Sequence, residues 1–275
     1  VREKAHPVMD IPAAALLVIA GAAAGFFCGV FAIGDGIVIV PVLLIALHGW
    51  NVSSLVATHV AMGTGLAVTA AASLALAWAA RGRDQVLWRD AAVLGLAGVA
   101  AAVAGGAIAA SLEGNTLRKI FGVLLLVAAA RLFAGRRKGG KSAEQAAPVT
   151  KLLPAGLITG LVSSLTGSGG GVISVPLLYT YIGIPLRKAT GTSHAAAAAC
   201  ALAGAAAYIC WGWTNEFLPA GMHGFIDWPS AGALVLGAVP GAIFGDRMAE
   251  KADRTALRAP YAVALLVVML RMFYV

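Results

Sequence analysis

One carboxylate stands between two glycines inside an otherwise apolar run. The segment FAIGDGIVIVP, residues 31–41, places Asp35 between Gly34 and Gly36. A charged side chain is costly in apolar surroundings, so it marks either a functional group or a local structural device. Two roles are open for Asp35. One is an N-cap of the helix that follows it, the other is a proton carrier that favours anion binding when it is protonated, and the two roles are not exclusive.

A second glycine-rich segment has nearly the same shape without the acid. In LTGSGGGVISVP, residues 165–176, the cluster consists of Gly167, Ser168, Gly169, Gly170 and Gly171. Glycine tolerates the positive φ angles that a break between helices needs. The N–H groups of a glycine-rich turn and of a helix N-terminus form a receptor for anions. The pattern therefore favours an oxyanion over a cation as the ligand.

Two histidines follow small hydroxyl residues at matching places. Thr58-His59 and Ser193-His194 each stand near the start of a long apolar run. The hydroxyl groups and a neutral imidazole can donate hydrogen bonds to an oxyanion, and a protonated imidazole can carry coupling charge. The alternative for each histidine is a hydrogen bond to a neighbouring helix. We predict that both pairs line one cavity, with Asp35, His59 and His194 as the proton-coupling residues.

Composition indicates that these residues belong to a membrane protein. Of the 275 residues, 60% are hydrophobic and 12% are charged, compared with about 45–50% and about 25% in soluble domains. Apolar runs occupy residues 9–33, 36–47, 55–80, 91–112, 117–134, 152–166, 172–183, 189–211, 229–245 and 257–274. Several can cross a bilayer as helices, but 36–47 and 172–183 are too short. We predict an all-α polytopic membrane protein of about 8–10 helical segments.

The sequence contains an internal repeat. Displacing the chain against itself aligns glycines, prolines and histidines: Gly34 with Gly169, Pro41 with Pro176, and His59 with His194. We predict two transmembrane repeats, at residues 9–134 and 152–275, joined by a polar linker at 135–151. Each repeat is expected to contain a glycine-broken helix pair followed by three spanning helices.

Basic residues predict the orientation, because short loops rich in Lys and Arg stay in the cytoplasm. Loop 81–89, the linker, turn 183–188 and loop 246–258 are basic, whereas loops 48–54 and 212–227 contain neither Lys nor Arg. Equivalent loops of the two repeats thus lie on opposite sides, which predicts inverted repeats, a common design of secondary transporters. We expect a protein of the inner membrane with a cytoplasmic linker and external termini.

The paired motifs resemble those of a known family. GFFCGVFAIGDGIVIVPVLL and GLVSSLTGSGGGVISVPLLY, followed by VATHVAMGT and ATGTSHAAA, are similar to the sulfite exporter TauE/SafE family of membrane permeases. The similarity extends over residues 10–275. It implies transport of sulfur-containing anions, such as sulfite, sulfoacetate, thiosulfate or related sulfonates, coupled to the proton gradient.

We predict a secondary transporter that moves a small sulfur oxyanion or sulfonate by alternating access. The expected substrate-binding residues are Gly34, Asp35, Gly36, Thr58, His59, Gly167, Ser168, Gly169, Gly170, Gly171, Ser193 and His194. Two alternatives remain open: an intramembrane serine hydrolase using Ser168 and His194, and a channel for another small solute. The expected partners are the anion, protons and membrane lipid, with a homodimer left open. No enzyme activity, nucleic acid, metal or cofactor is predicted.

Overall fold

The computed structural model describes residues 10–32, 34–134, 147–219 and 222–251. These residues are predominantly helical, and no strand occurs among them. The elements are α1 (Ile11–Phe31), α2 (Gly36–Gly49), α3 (Ser54–Arg81), α4 (Trp88–Ser111), α5 (Gly114–Ala134), α6 (Val149–Thr166), α7 (Gly171–Pro176) with a π-helical turn (Leu177–Ile182), α8 (Leu186–Gly212) and α9 (Trp228–Lys251). The all-α prediction is confirmed. The predicted run at 257–274 and most of the linker lie outside the described residues.

Six of the described helices are long and apolar enough to cross a membrane: α1, α3, α4, α6, α8 and α9. The two segments predicted to be too short, α2 and α7 with its π-helical turn, are indeed shorter apolar helices. Large apolar side chains such as Leu16, Trp78 and Leu96 are exposed on the long helices. Exposed apolar surface of this kind is stable where lipid covers it. The architecture is that of a multi-pass membrane protein.

α1 packs closely along α9 through glycines on both helices. They are Gly21, Gly25 and Gly29 on α1, and Gly237, Gly241 and Gly245 on α9. A Cβ atom at any of them would overlap backbone atoms of the other helix. Small residues at every fourth position allow this close approach in membranes. Gly21 lies on Leu234 and Gly29 lies on Ala242, so the two helices run in the same direction.

α4 and α6 form a second parallel pair of the same kind. Gly156 lies on Leu94, and Gly160 lies on Gly98 four residues further along. Each pair joins the first helix of one predicted repeat to the fourth helix of the other. α3 and α8 contact each other and link the pairs, because α3 also contacts α9 and α8 also contacts α4. This exchange of helices is compatible with two interlocked repeats; the division at 9–134 and 152–275 and the inversion stay predictions.

α3 is the most enclosed of the six candidate spans. Of its apolar 18-residue window, 78% is buried, compared with 39–56% for the other five. It nevertheless carries buried polar side chains, among them Thr58, Thr64, Thr69 and Ser73. Buried polar groups in a spanning helix are costly unless they serve packing or function. α3 therefore supplies the polar groups around which a solute path can be built.

Candidate functional site

The two glycine breaks lie against each other beside the middle of α3. A Cβ atom at Gly34 would overlap the carbonyl oxygen of Ser168, and one at Gly36 would overlap that of Gly167. Gly167 and Gly169 have φ angles of 66° and 72°, which glycine adopts without strain. Both the close approach and the backbone conformation thus require glycine here. We call this contact between residues 34–36 and 167–171 the junction.

α3 forms one wall of the junction. Gly167 lies against Met62, and Gly169 lies against Thr69. The Thr69 hydroxyl donates a hydrogen bond to Asp35 Oδ1 at 2.6 Å. Asp35 is 1% exposed, and its Oδ2 has no hydrogen-bond partner among the described residues. A buried carboxyl group therefore stands between the breaks with one oxygen occupied and the other open.

The capping role considered for Asp35 is wrong. Asp35 occupies the N-cap position of α2, but its side chain makes no capping hydrogen bond. Its φ and ψ angles of −65° and −26° are helical, whereas an N-cap residue is usually extended. The side chain instead turns towards Thr69 on α3. Its placement serves an interhelical contact and not the end of its own helix.

Hydroxyl groups of α6 flank the junction. Gly170 lies against Thr159. In the described part of the chain, Thr159 Oγ1 and Ser163 Oγ are buried without hydrogen-bond partners. Such atoms normally bind water or a ligand. Both residues are absent from the predicted set, although their four-residue spacing places them on one helical face and could have indicated a polar stripe.

The second hydroxyl–histidine pair lies on α8, close to the second break. Ser193 Oγ is hydrogen-bonded to Ser174 Oγ in the first turn of α7. His194 is buried and close enough to Asp246 of α9 for an electrostatic interaction. Within the described residues, the Ser168 hydroxyl pairs with Thr166 at 2.8 Å and not with His194. The serine–histidine dyad of a hydrolase is therefore not assembled.

The first pair lies one helical turn from the near edge of the junction. Thr58 precedes Met62, which contacts Gly167, by four positions on α3, about 6 Å along a helix, and it precedes Thr69 by eleven positions. His59 Nε2 donates to the carbonyl oxygens of Ala109 and Leu112, both at 3.1 Å. Since carbonyls only accept, Nε2 carries a proton, and Nδ1 is the acceptor when the ring is neutral. His59 thus makes the bond to a neighbouring helix that the sequence left open, and the structure does not bring it to Asp35.

Thr58 belongs to a separate polar cluster where α5 begins. Arg118 Nε donates to Thr58 Oγ1 at 3.0 Å. Arg118 is only 7% exposed, although arginine is almost never buried without a partner. The sequence duplicates Leu117-Arg118 as Leu257-Arg258, but the second copy lies outside the described residues. Arg118 is absent from the predicted set; the duplication was the available signal.

An ion pair lies at the other end of α3. Arg83, just beyond α3, pairs with Asp246 of α9, and Arg83 Nε donates to the Ala79 carbonyl at 3.2 Å. Both charged side chains are partly exposed. Polar groups thus occur at three levels along α3: the Thr58–Arg118 cluster, the junction and the Arg83–Asp246 pair. This succession is suited to a solute path parallel to α3.

Curated relatives agree on the class of the protein. A probable membrane transporter protein of Haemophilus influenzae is 28% identical over 262 residues, which cover 94% of this chain and 97% of that protein. A probable membrane transporter protein of Xylella fastidiosa is 26% identical over 247 residues, covering 88% and 87%. One of Methanocaldococcus jannaschii is 25% identical over 179 residues, covering 65% and 66%. No solved structure matches the chain.

One protein family matches nearly the whole chain. The family described as "Sulfite exporter TauE/SafE" matches residues 17–272, a range that contains both breaks, the Thr58–Arg118 cluster and all six candidate spans except the first six residues of α1. The protein is therefore a membrane transporter rather than an enzyme. On this match, the chain belongs to the sulfite exporter TauE/SafE family.

Proposed function

We propose that the protein is a secondary transporter of a small sulfur-containing oxyanion or sulfonate, coupled to protons. One observation carries the proposal: the buried carboxyl group of Asp35 at the contact of two glycine breaks, with one oxygen atom that has no hydrogen-bond partner among the described residues. The family supports a small anion as the substrate. Sulfite and organosulfonates share a compact group of acceptor oxygens, which suits a site made of N–H and O–H donors.

The anion binds at the junction. Its donors are N–H groups around Gly34–Gly36 and Gly167–Gly171, because successive N–H groups in such turns form a concave anion receptor. The hydroxyl groups of Thr159 and Ser163 are buried without hydrogen-bond partners among the described residues, and Thr159 lies against Gly170 of the second break. We add them to the predicted set as donors. Ser193 of α8 completes the set; it is hydrogen-bonded to Ser174, one turn along α7 from the break.

Asp35 couples anion binding to a proton. When ionised, its carboxylate repels an anion placed beside it, and the repulsion is strong away from water. When protonated, it can donate from Oδ2 to the anion, because Oδ1 already accepts from Thr69. Binding of the proton and of the anion therefore favour each other. His59 and His194 stay in the proposal as further proton carriers, His59 through its unpartnered Nδ1.

Alternating access uses the two tightly packed helix pairs. The glycine contacts of α1 with α9, and of α4 with α6, hold each pair together. We propose that rocking of two inverted repeats about α3 and α8 exposes the junction to opposite sides of the membrane in turn. The parallel direction within each pair supports this scheme. The inner membrane, the cytoplasmic linker and external termini remain part of the proposal.

The test is a flux measurement in proteoliposomes that contain the purified protein. Sulfite, thiosulfate, sulfoacetate and sulfate are supplied singly, with and without a pH gradient, and empty liposomes are the control. We expect saturable flux of at least one sulfur anion that responds to the pH gradient. Absence of flux for every anion, with and without the gradient, would contradict the proposal. Flux that never saturates and ignores the gradient would instead support the channel alternative.

A further inference from the structure

We propose that Arg118 and Thr58 form a second anion site, which holds the substrate at the α5 end of α3 before it reaches, or after it leaves, the junction. The inference rests on the proposed transport of a sulfur oxyanion or sulfonate. In this inference, Arg118 is the residue that selects an anion with at least two acceptor oxygens over neutral solutes. The Thr58–Arg118 cluster and the junction are then two successive positions on one path.

Arg118 is buried, and it forms no ion pair with the acidic side chains that the structure describes. It is 7% exposed, and its hydrogen bond in the described structure is the one from Nε to Thr58 Oγ1. The side-chain ion pairs of the described residues belong to other arginines, Arg83 and Arg89. A buried charge without an opposite charge strongly destabilises a protein. An anionic ligand would supply the opposite charge that the described side chains do not supply to this guanidinium.

Thr58 determines which part of the guanidinium is free for a ligand. Because Nε is bonded to Thr58, the two terminal nitrogens remain for binding. Their parallel N–H groups match two oxygens of a sulfite or sulfonate group in a bidentate arrangement. The Thr58 hydroxyl accepts from Nε, so its own proton can be donated to the same anion.

The start of α5 favours an anion at the same place. Gly114 is the first residue of α5, and a Cβ atom there would lie 3.1 Å from Thr58 Oγ1. The hydroxyl thus lies directly beside the N-terminus of a long helix, where the partial positive charge of the helix dipole is concentrated. The guanidinium of Arg118, the hydroxyl of Thr58 and the N-terminus of α5 therefore all attract a bound anion.

In the part of the chain that the structure describes, no neighbouring acidic side chain pairs with Arg118. His59 is buried next to Thr58, bonds backbone carbonyls through Nε2 and packs its ring 5.0 Å from that of Phe225. Glu113, immediately before α5, is exposed, and it forms no ion pair with Arg118 within the described structure. Glu113 is the acidic residue closest along the chain, so it provides a control for a hidden counter-ion.

The experiment compares sulfite flux for Arg118→Gln, Arg118→Lys and wild type in proteoliposomes. Loss of a hydrogen-bonded charged partner should raise the KM for sulfite at least about tenfold in Arg118→Gln. Arg118→Lys keeps the charge without the fork, so its KM should be intermediate. Lys119→Gln and Glu113→Gln remove exposed charges from the same region, and each should leave the KM within about twofold.

The same variants are unfolded thermally with and without sodium sulfite. A purely structural Arg118 would lower the unfolding temperature equally in both conditions and leave the KM unchanged, which would overturn the inference while the proposed function stands. If Arg118→Gln does not fold, Thr58→Val is measured in its place. Thr58→Val keeps the charge of Arg118 but removes the hydrogen-bond partner of Nε. A KM for sulfite equal to that of wild type would then overturn the inference.

The binding measurement also separates this inference from the proposed function. If wild type transports no sulfur anion, the proposed function fails. The rise of the unfolding temperature in the presence of sulfite then tests the anion site at Arg118 independently of transport. Stabilisation of wild type, absent from Arg118→Gln and retained in Lys119→Gln, would support an anion site at Arg118. No stabilisation, or equal stabilisation of all three proteins, would overturn it.

Discussion

Gly36→Ala tests the contact between the two breaks. An added Cβ atom would lie 2.7 Å from Ser168 Cα and would overlap the carbonyl oxygen of Gly167. Non-bonded carbon atoms are normally about 3.5–4.0 Å apart, so the two segments would have to separate by about 1 Å. The three nearest atoms are all backbone atoms. No side-chain rotation can therefore relieve the overlap.

We expect Gly36→Ala to lower the free energy of unfolding by about 1–3 kcal/mol, the usual cost of overpacking. Alanine is favoured over glycine in a helix by about 0.5–1 kcal/mol, which offsets only part of this loss. Gly49→Ala is the matched control, because Gly49 ends the same helix and nothing lies within 4 Å of its added Cβ atom. Transport should fall in Gly36→Ala alone, since separated breaks no longer direct their donors at one anion.

The assay is denaturant unfolding of both variants in detergent, followed by flux of whichever anion wild type carries. Flux is compared at equal amounts of reconstituted protein, so a stability loss does not count as a transport loss. If Gly36→Ala is as stable and as active as Gly49→Ala, the breaks do not touch as described and the reasoning is refuted. A stable but inactive Gly36→Ala would refute the stability argument and retain the placement of the site.

Asp35→Asn keeps the size of the side chain but cannot bind and release a proton, so flux should lose its dependence on a pH gradient. Asp84→Asn, in an exposed loop, is the control and should retain that dependence. Flux through Asp35→Asn that still depends on the pH gradient would exclude Asp35 as the proton carrier. Arg83→Gln and Asp246→Asn each remove one end of an ion pair whose side chains are 27% and 26% exposed, so each should cost up to about 1 kcal/mol. The double variant should lose less than the sum of the two, and additive losses in denaturant unfolding would mean that the pair does not interact. His59→Ala removes a donor shared by the carbonyls of Leu112 and Ala109, of which Ala109 keeps the bond from the Leu112 N–H, and should lower the free energy of unfolding by about 1–3 kcal/mol. His59→Gln, whose amide can donate, should recover part of that loss. Equal losses of unfolding free energy in the two variants would mean that the hydrogen bonds of His59 to the end of α4 do not stabilise the protein.

Composition and the lengths of apolar runs were sufficient to predict the class of protein and the helices. A helix in lipid must satisfy its own backbone and expose apolar side chains, so each span is visible as a continuous run. The runs at 55–80 and 189–211 correspond to α3 and α8 with small changes at their ends. The prediction that the runs at 36–47 and 172–183 are too short to cross a bilayer was likewise correct, because a bilayer sets a minimum length for a spanning helix. The motifs around the breaks were sufficient for the family as well.

The partners of the functional side chains could not be predicted from the sequence. Internal similarity pairs Thr58-His59 with Ser193-His194, which suggests equivalent places. In the structure, Ser193 of α8 is hydrogen-bonded to Ser174 in the first turn of α7, while Thr58 of α3 is hydrogen-bonded to Arg118 of α5. Similar segments acquire different neighbours because the helices packed against them differ.

The sequence by itself determined where this protein crosses the membrane, where its helices break and which family it belongs to. These properties depend on residues close together in the chain: runs of apolar side chains, glycine clusters and short motifs. The tertiary structure alone decided that the breaks touch, that Asp35 is held by Thr69, and that Arg118 is buried against Thr58. Those contacts join helices far apart in the chain, and their distances follow from which small side chains let which helices approach.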